Sequence, residues 1–371
     1  MILVAPTAFK GTISAGEAAS AMAAGAASAA PGREIRLMPL SDGGHGLLEA
    51  LGAARRGSPR TVSVMGPLGD PVPARYLVQG TDGVLETAEA CGLHLVPPSR
   101  RDPLRATTQG VGELLLAAAG ASEGACGAAL AAERLVVGLG GSATVDAGSG
   151  MARALGWRLL DGSGRPIAPG GRGLVDLVVI EPPERPPRLP RVVVLADVTN
   201  PLLGPDGAAA VYGPQKGATA AGVELLEKGL ARWAELVFRD LGRRVADLPG
   251  AGAAGGMGAA FAAYLGSPPR PGSDWLLDAV SFDAALAEAE VVVTGEGAWD
   301  MQSSMGKVTG EVVTRALEAG VPVLLVAGSI TGSLPRGVTA AGSTGAMLDG
   351  EALGIIVAEQ LPALLRAHGD T

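Results

Sequence analysis

Short runs of consecutive apolar residues recur along the chain, most of them bounded by Gly, Pro or a charged residue. They are ILVAP from Ile2, IRLMPL from Ile35, LVVGLG from Leu135, RVVVLADV from Arg191, EVVVTGEG from Glu290 and VPVLLVAGS from Val321. Such runs, rich in Val and Leu, are typical of parallel strands covered on both faces. Alanine-rich helical segments, such as residues 14–30 and 310–320, lie between several of them. This alternation predicts an α/β fold.

Cap and turn residues refine this prediction. Ser14 followed by Glu17 predicts a capping box that begins the first helix, and the Pro-Gly pair at 31–32 predicts its end. Residues 60–90 differ from the rest, because their apolar positions are separated by Gly, Pro and Asp, and they predict antiparallel strands. The proline-rich stretch 181–191 cannot form the interior of a helix, so we expect a surface connection there.

The clearest strand-to-helix units lie at the two ends of the chain. Its length of 371 residues exceeds what one hydrophobic core usually supports. We therefore expect an α/β protein of two domains. One is a Rossmann-like parallel-sheet domain built from both ends of the chain, approximately residues 1–65 and 275–371. The other is an inserted α/β domain with a mixed sheet, approximately residues 66–274.

Composition narrows the classes of function. The formal net charge is −8 and no run of basic residues is longer than about a pair, so nucleic acid is not an expected partner. Cys91 and Cys126 lack CxxC spacing, which predicts neither a disulfide framework nor a zinc site. The N-terminus lacks the basic segment of a signal peptide, and the alanine-rich segments are too weakly hydrophobic to span a bilayer. We expect a soluble, cytoplasmic protein with a small-molecule substrate; the sequence leaves a homo-oligomer open.

Polar residues follow nearly every apolar run. They are Lys10, Asp42, Asp146, Asp197, Asn200, Glu296, Asp300, Ser303 and Lys307. In doubly wound sheets, ligands bind at the carboxyl ends of the strands, so these residues form the candidate site. Taken singly, Asp42 and Asp146 are equally well explained as helix N-caps, and Lys10 is better explained as a solvated surface lysine. Their recurrence at strand ends favours a phosphate and metal site.

The residue types indicate phosphoryl transfer. Carboxylates hold Mg²⁺, lysines and backbone N–H groups neutralise phosphate, and a carboxylate orients or deprotonates the acceptor hydroxyl. Glycine-rich turns that open helices supply such N–H groups, and residues 140–151 have the composition for this. The glycine-rich stretch 249–260 is explained by close packing of a helix on a sheet. A P-loop is disfavoured, because Val308 stands where the Walker A motif requires a hydroxyl residue.

Histidine-based catalysis has weaker support. His45 could act as a base or bind an anion, and it is equally well explained as a turn histidine. His94 and His368 form no metal-binding pair with it. No GxSxG elbow accompanies His45, so a serine hydrolase is not favoured.

A series of motifs follows in a fixed order from Met1 to about Ser329. They are APTAFKGTISA, SDGGHG, MGPLGDPV, RDPLRATTQGVGELL, GLGGSATVDAGSGM, DVTNPLLG, YGPQKGA, PGAGAAGGMGAA and TGEGAWDMQSSMGK. As a set they closely resemble the bacterial glycerate kinases of the glycerate 2-kinase type. The resemblance implies two α/β domains, one inserted in the other, and a need for Mg²⁺. It also implies transfer of the ATP γ-phosphate to D-glycerate, with 2-phosphoglycerate expected rather than 3-phosphoglycerate.

The resemblance extends to roles for individual residues. The catalytic candidates are Lys10, Asp42, Asp197 and Asp300. The candidates for binding substrate or phosphate are Asp146, Asn200, Lys216, Ser303 and Lys307. The candidate metal ligands are Asp197, Glu296 and Asp300, and which carboxylate is the base stays open. The predicted cradle for the ATP phosphates consists of Gly140, Gly141, Ser142, Gly255 and Gly256.

The chain departs from the family pattern at Thr7, Ala8, His45, Val145 and the pair Ala298-Trp299. Polar groups lost at strand ends would change the contacts to a small polar substrate. One alternative is therefore a kinase of the same fold for another small hydroxy acid or sugar acid. A catalytically silent ligand-binding homologue is the second alternative, and the retained aspartates argue against it.

Overall fold

The chain divides into two units in the computed structural model. Residues 1–9, 12–41, 46–54, 57–120, 132–300, 303, 307–342 and 348–369 are described. Unit 1 consists of Met1–Arg56 and Pro271–Thr371, and unit 2 consists of Gly57–Arg270. Unit 1 therefore contains both ends of the chain, and unit 2 is inserted between them.

Strands and helices alternate through much of the described chain. The strands are β1 (Ile2–Val4), β2 (Ile35–Leu37), β3 (Ser58–Met65), β4 (Pro71–Gln79), β5 (Asp82–Glu86), β6 (Arg134–Gly138), β7 (Arg158–Asp161), β8 (Leu177–Glu181), β9 (Arg191–Leu195), β10 (Pro269–Arg270), β11 (Val291–Glu296), β12 (Val323–Ala327) and β13 (Val338–Gly342). The α-helices are α1 (Ala15–Ala29), α2 (Leu47–Ala53), α3 (Ala88–Cys91), α4 (Gln109–Ala118), α5 (Ser149–Ala154), α6 (Ala208–Tyr212), α7 (Ala220–Leu241), α8 (Ala253–Leu265), α9 (Ser273–Ala279), α10 (Phe282–Leu286), α11 (Val308–Glu318) and α12 (Gly350–Gly369).

Unit 1 contains a parallel sheet with the strand order β13-β12-β11-β1-β2. Its register pairs Ile2 with Val291 in β11, and Val292 in turn with Val323 in β12. Strands β1, β11 and β12 are buried along their whole length, as their consecutive apolar residues predict. The prediction of a parallel-sheet domain built from both ends of the chain is confirmed.

Helix α1 shows how local sequence and packing agree in unit 1. Its predicted capping box is present, because the Ser14 hydroxyl accepts from the Glu17 N–H and the Glu17 carboxylate accepts from the Ser14 N–H. Alanines of α1 pack in one apolar cluster with leucines of α12. At Gly25 a Cβ atom would lie only 2.1 Å from the Gly354 carbonyl oxygen, so the small residues allow the two backbones to approach closely.

Unit 2 contains a mixed sheet with the strand order β10-β9-β6-β5-β4-β3. Strands β5, β6, β9 and β10 are parallel, and β3, β4 and β5 are antiparallel neighbours, as predicted for residues 60–90. Strand β3 pairs with β4 from Ser58 to Met65, so the whole strand lies in unit 2. The division near residue 57 therefore comes earlier than the boundary expected near residue 65.

The direction of the strands determines which loops share an edge of this sheet. Strands β3 and β5 are both antiparallel to β4, so they run in the same direction, and β6 and β9 run parallel to β5. The turn at residues 66–70, which follows β3, therefore lies at the same edge as the residues that follow β5, β6 and β9.

Two further features of the described chain bear on the sequence predictions. Residues 182–190 form a connection without helix or strand between β8 and β9, and it is mostly exposed, as predicted. Within the described ranges, no helix has the length and apolar character needed to cross a membrane.

Candidate active site

Lys216 lies at the strand-end edge of unit 2 and is almost fully buried, with 3% of its surface exposed. Its Nζ donates hydrogen bonds to the Ser142 hydroxyl at 2.9 Å and to the Thr144 carbonyl at 2.8 Å. Burial lowers the pKa of Lys216 to about 8, and the nearby charge of Asp146 opposes this effect. The structure thus brings Ser142 and Lys216 together, and it places a cation with an unusually low pKa beside the glycine turn that follows β6.

Asp146 occupies a different environment in the same turn. It is fully buried, and its carboxylate accepts hydrogen bonds from the N–H and hydroxyl of Thr108, at 3.0 and 2.9 Å. It also accepts from the N–H of Gly148 and Gly150 and from the Ser149 hydroxyl. Burial raises the pKa of Asp146, whereas these donors lower it. Since Thr108 precedes α4 and Gly148 precedes α5, this carboxylate joins the beginnings of two helices.

The four glycines predicted to cradle phosphate differ in their exposure to solvent. Gly255 and Gly256 are buried with positive φ angles, and a Cβ at Gly255 would lie 1.9 Å from the Thr144 carbonyl oxygen. They allow the beginning of α8 to lie close to the Asp146 turn. Gly140 and Gly141 retain exposed surface, so they are the members of the predicted cradle that a ligand can reach.

Asn200 and Asp197 follow β9 at the same edge of unit 2. The Asn200 side chain donates to the Asp206 carbonyl at 2.8 Å and accepts from the Tyr212 hydroxyl at 2.8 Å. The ring of Tyr212 lies 5.9 Å from Lys216 Nζ, and burial raises the pKa of its hydroxyl. Sequence reasoning missed Tyr212, although it begins the YGPQKGA motif that contains Lys216. Asp197 itself is partly exposed.

In unit 1, the loop after β11 brings three predicted residues together. The Ser303 N–H donates to the Asp300 carboxylate at 3.0 Å, and Lys307 Nζ lies 3.8 Å from the same oxygen. The Asp300 side chain is 41% exposed and that of Lys307 is 22% exposed, so both remain accessible to a ligand. Glu296, the last residue of β11, is 8% exposed. This loop therefore presents opposite charges beside each other at the end of a parallel strand.

Three of the departures from the family pattern lie in the interior. Val145 and Trp299 are fully buried, and Thr7 is 5% exposed. The Thr7 hydroxyl donates to the Gly295 carbonyl at 3.3 Å, and the Trp299 indole donates to the Ser333 carbonyl. These side chains are therefore occupied in packing, whereas Ala8 and Ala298 are exposed.

Three candidates, Lys10, Asp42 and His45, lie outside the described residues. Across the described residues, no group of three or more His, Cys, Asp or Glu side chains could hold a metal ion. Mg²⁺ is usually held by only one or two carboxylates together with substrate phosphates. Glu296 and Asp300 supply oxygen ligands of that kind in unit 1, so the donors present there fit Mg²⁺.

The parallel strand ends of this α/β fold carry carboxylates, lysines and glycine turns, the groups that phosphoryl transfer uses, and the protein is a kinase by its relationship to known proteins. Comparison with known proteins agrees. The chain belongs to the glycerate kinase family, whose model matches residues 2–349.

Individual relatives cover most of the chain. It is 43% identical over 333 residues to a glycerate kinase of Halalkalibacterium halodurans, covering 89% of this chain and 85% of that protein. It is 41% identical over 335 residues to glycerate 2-kinase of Escherichia coli, with the same coverage. A solved structure assigned as a glycerate kinase 2 from Salmonella typhimurium LT2 is similar with a TM-score of 0.79 at 39% identity, covering 100% of this chain and 99% of that one.

Proposed function

We propose that this protein transfers the γ-phosphate of ATP to the 2-hydroxyl of D-glycerate and so produces 2-phosphoglycerate. The observation that carries this proposal is the cluster of Asp300, Ser303 and Lys307 after β11 in a chain of the glycerate kinase family. The name of the Escherichia coli relative, glycerate 2-kinase, supports the position of the phosphate. The proposal includes a cytoplasmic location and a small-molecule acceptor.

In the proposed reaction, charged residues of each unit have a role. Asp300 accepts the hydroxyl proton or binds the metal, and Lys307, 3.8 Å away, stabilises its charge. Lys216 donates two N–H groups to Ser142 and Thr144, next to glycines 140 and 141, and its charge neutralises phosphate or the glycerate carboxylate. Asp197, partly exposed after β9, is the second candidate for the base.

Mg²⁺ would supply positive charge to the phosphate oxygens and lower the barrier to phosphoryl transfer. Glu296 and Asp300 are the ligands that we propose for it in unit 1. Asp197, the third candidate ligand, lies in unit 2.

We propose D-glycerate rather than another hydroxy acid as acceptor because several of the departures from the family pattern are buried. Thr7, Val145 and Trp299 are buried and occupied in packing, so their substitution changes the interior rather than the contacts to a substrate. The exposed Ala8 and Ala298 are the positions in the described chain at which a different acceptor could be selected.

The test is ADP release by the purified protein with Mg²⁺-ATP and D-glycerate, followed by phosphorus NMR of the product. We expect 2-phosphoglycerate. Glycolate, L-lactate, tartronate and D-gluconate, assayed in parallel, test for another acceptor. The proposal is wrong if D-glycerate does not raise ADP release above the ATP-only rate, or if another acid is turned over with a much higher kcat/KM. Asp197→Asn, assayed beside Asp300→Asn, shows which aspartate the reaction needs.

A further inference from the structure

A pocket of about 840 Å³ in unit 2 contains an unusual number of arginines. Its walls come from the turn after β3, from residues 99–105 and from residues 168–172. Arg100, Arg101, Arg105 and Arg172 line it, together with one carboxylate, Asp102. We call this feature the arginine pocket. It explains two motifs without an assigned role, MGPLGDPV and RDPLRATTQGVGELL, because both contribute to its walls.

The arginine pocket lies at the ligand-binding edge of the mixed sheet. One of its walls is the turn at residues 66–70, which shares this edge with the ends of β5, β6 and β9. The Pro67 carbonyl accepts a hydrogen bond from the Thr107 N–H at 3.0 Å, which ties this turn to the segment directly after residues 99–105. Arg101 donates to the Gln215 carbonyl at 3.5 Å, and Gln215 is the residue before Lys216. The pocket is therefore a neighbour of the lysine that we assign to phosphate or carboxylate binding.

Among the described residues that line the pocket, positive charges outnumber negative ones. Within the described ranges, no salt bridge involves any of its four arginines, whereas Arg75, Arg134 and Arg315 each contact a carboxylate. Asp102 accepts a hydrogen bond from the Leu104 N–H at 3.0 Å, which closes a local turn rather than an ion pair. Four guanidinium groups and one carboxylate thus concentrate positive charge in a chain with a net charge of −8.

Arg101 adds an independent observation. Its Nε is buried, and no described residue accepts a hydrogen bond from it. A buried donor without an acceptor is costly, so the described residues leave part of the Arg101 guanidinium unsatisfied at this place. Arginine forks bind phosphate and carboxylate oxygens in pairs, a geometry that lysine cannot reproduce.

We propose that the arginine pocket binds a phosphate-bearing small molecule, through the phosphate groups of a nucleotide or of a phosphorylated hydroxy acid. The inference rests on the proposed function, because a phosphoryl-transfer enzyme has reactants of this chemistry at this edge of the sheet. It adds arginines of unit 2 to the groups that bind the reactants.

Inorganic tripolyphosphate is the probe, and its binding is measured by isothermal titration calorimetry in about 0.15 M KCl, where weak surface attraction is screened. The variants are the double variant Arg105→Gln/Arg172→Gln, whose two side chains are exposed, and Arg101→Gln. Arg60→Gln is the matched control, because Arg60 is an exposed arginine of β3 outside the pocket. We expect the double variant and Arg101→Gln each to lose at least about tenfold in affinity, and the control to stay within about twofold of the wild type.

Competition identifies the source of the phosphate. ATP and 2-phosphoglycerate are each titrated against bound tripolyphosphate, and displacement by either one supports the inference. If ATP displaces the probe, the pocket variants are expected to raise KM for ATP more than they lower kcat. The inference is overturned if the pocket variants bind tripolyphosphate as the wild type does, or if neither compound displaces it.

The test of the arginine pocket and the test of the proposed function can fail independently of each other. Absence of D-glycerate turnover, with arginine-dependent binding intact, would count against the proposed function alone. Normal turnover of D-glycerate, with binding that does not depend on the arginines, would count against the arginine pocket alone. Circular dichroism of each variant shows that the fold is retained.

Discussion

The ends of the parallel strands in the two units carry the same residue types in opposite environments. In unit 2, Asp146 is fully buried and Lys216 is 3% exposed. In unit 1, the side chain of Asp300 is 41% exposed and that of Lys307 is 22% exposed. A carboxylate whose oxygens are surrounded by protein donors holds the fold together, whereas an accessible carboxylate beside a lysine is available for chemistry. Position at a strand end therefore does not by itself determine the role of an aspartate.

The largest expected effect concerns the exposed aspartate of unit 1. Asp300→Asn keeps the shape of the side chain and removes its charge, so kcat for D-glycerate should fall about 100- to 1,000-fold. The free energy of unfolding should change by less than about 0.5 kcal/mol, because the side chain is partly exposed. Steady-state kinetics and urea denaturation measure the two quantities. Asp278→Asn, an exposed substitution on α9, is the control. A near wild-type kcat for Asp300→Asn would contradict the functional difference between the exposed and the buried aspartate.

The next effect concerns the buried aspartate of unit 2. Asp146→Ala should lower the free energy of unfolding by about 3 kcal/mol, because the buried N–H groups of Thr108, Gly148 and Gly150 lose their acceptor. Urea denaturation followed by tryptophan fluorescence measures the loss. Asp161→Ala is the matched control: its carboxylate also accepts from backbone N–H groups, in an exposed turn. Equal losses in the two variants would show that burial does not set the role of Asp146.

A smaller effect tests the packing of α8 on the Asp146 turn. Gly255 and Gly266 both have positive φ angles, +75° and +67°, so alanine is strained at either position. At Gly255 the added Cβ would also meet the Thr144 carbonyl, whereas at Gly266 nothing lies within 4 Å. Gly255→Ala should therefore destabilise the protein by about 2 kcal/mol more than Gly266→Ala. Thermal unfolding of both variants measures the difference, and equal melting temperatures would contradict the close approach.

The smallest expected effect is a pH dependence from Lys216. Because burial lowers its pKa to about 8, the protonated fraction falls above that pH, and kcat at pH 9 should be about tenfold below its neutral plateau. Lys216→Arg retains the charge, so its kcat, although lower, should stay constant up to about pH 10. The pH profiles of kcat for the wild type and Lys216→Arg, measured side by side, test whether Lys216 causes the alkaline decline. A decline that persists in the arginine variant would show that another group causes it.

The same lysine affects stability with a defined sign. Between about pH 8 and its ordinary pKa of 10.5, the unfolded chain binds this proton and the folded chain does not. The contribution of Lys216 to the free energy of unfolding therefore rises with pH across this window and is constant below it.

Several parts of the fold could be predicted because their causes are local. The buried parallel strands follow from consecutive apolar residues, and the beginning of α1 follows from Ser14 and Glu17, which lie three positions apart. The boundary of unit 2 was expected near residue 65, and the structure divides near residue 57, because β3 pairs with β4 rather than with the parallel sheet. Strand pairing is a tertiary property that the composition of β3 does not reveal.

The candidate site could be predicted only as a set of positions. Besides its local donors at residues 148–150, Asp146 accepts hydrogen bonds from Thr108, 38 residues away, and Lys216 donates to Ser142, 74 residues away. Neither pairing leaves a signal in local spacing, so the sequence could not decide between a helix cap and a ligand for Asp146. The arginine pocket was missed because only the fold brings Arg172 to the segment that contains Arg100, Arg101 and Arg105.

An α/β protein that resembles the glycerate kinase family, with carboxylates, lysines and glycines after its strands, can be recognised from the sequence. Those properties depend on residue types and on short-range spacing, which any chain displays directly. Which of these polar groups are buried and which are accessible is known from the three-dimensional structure. Burial and hydrogen-bond partners are set by segments that are distant in sequence, and they determine whether a charged side chain stabilises the fold or meets a ligand.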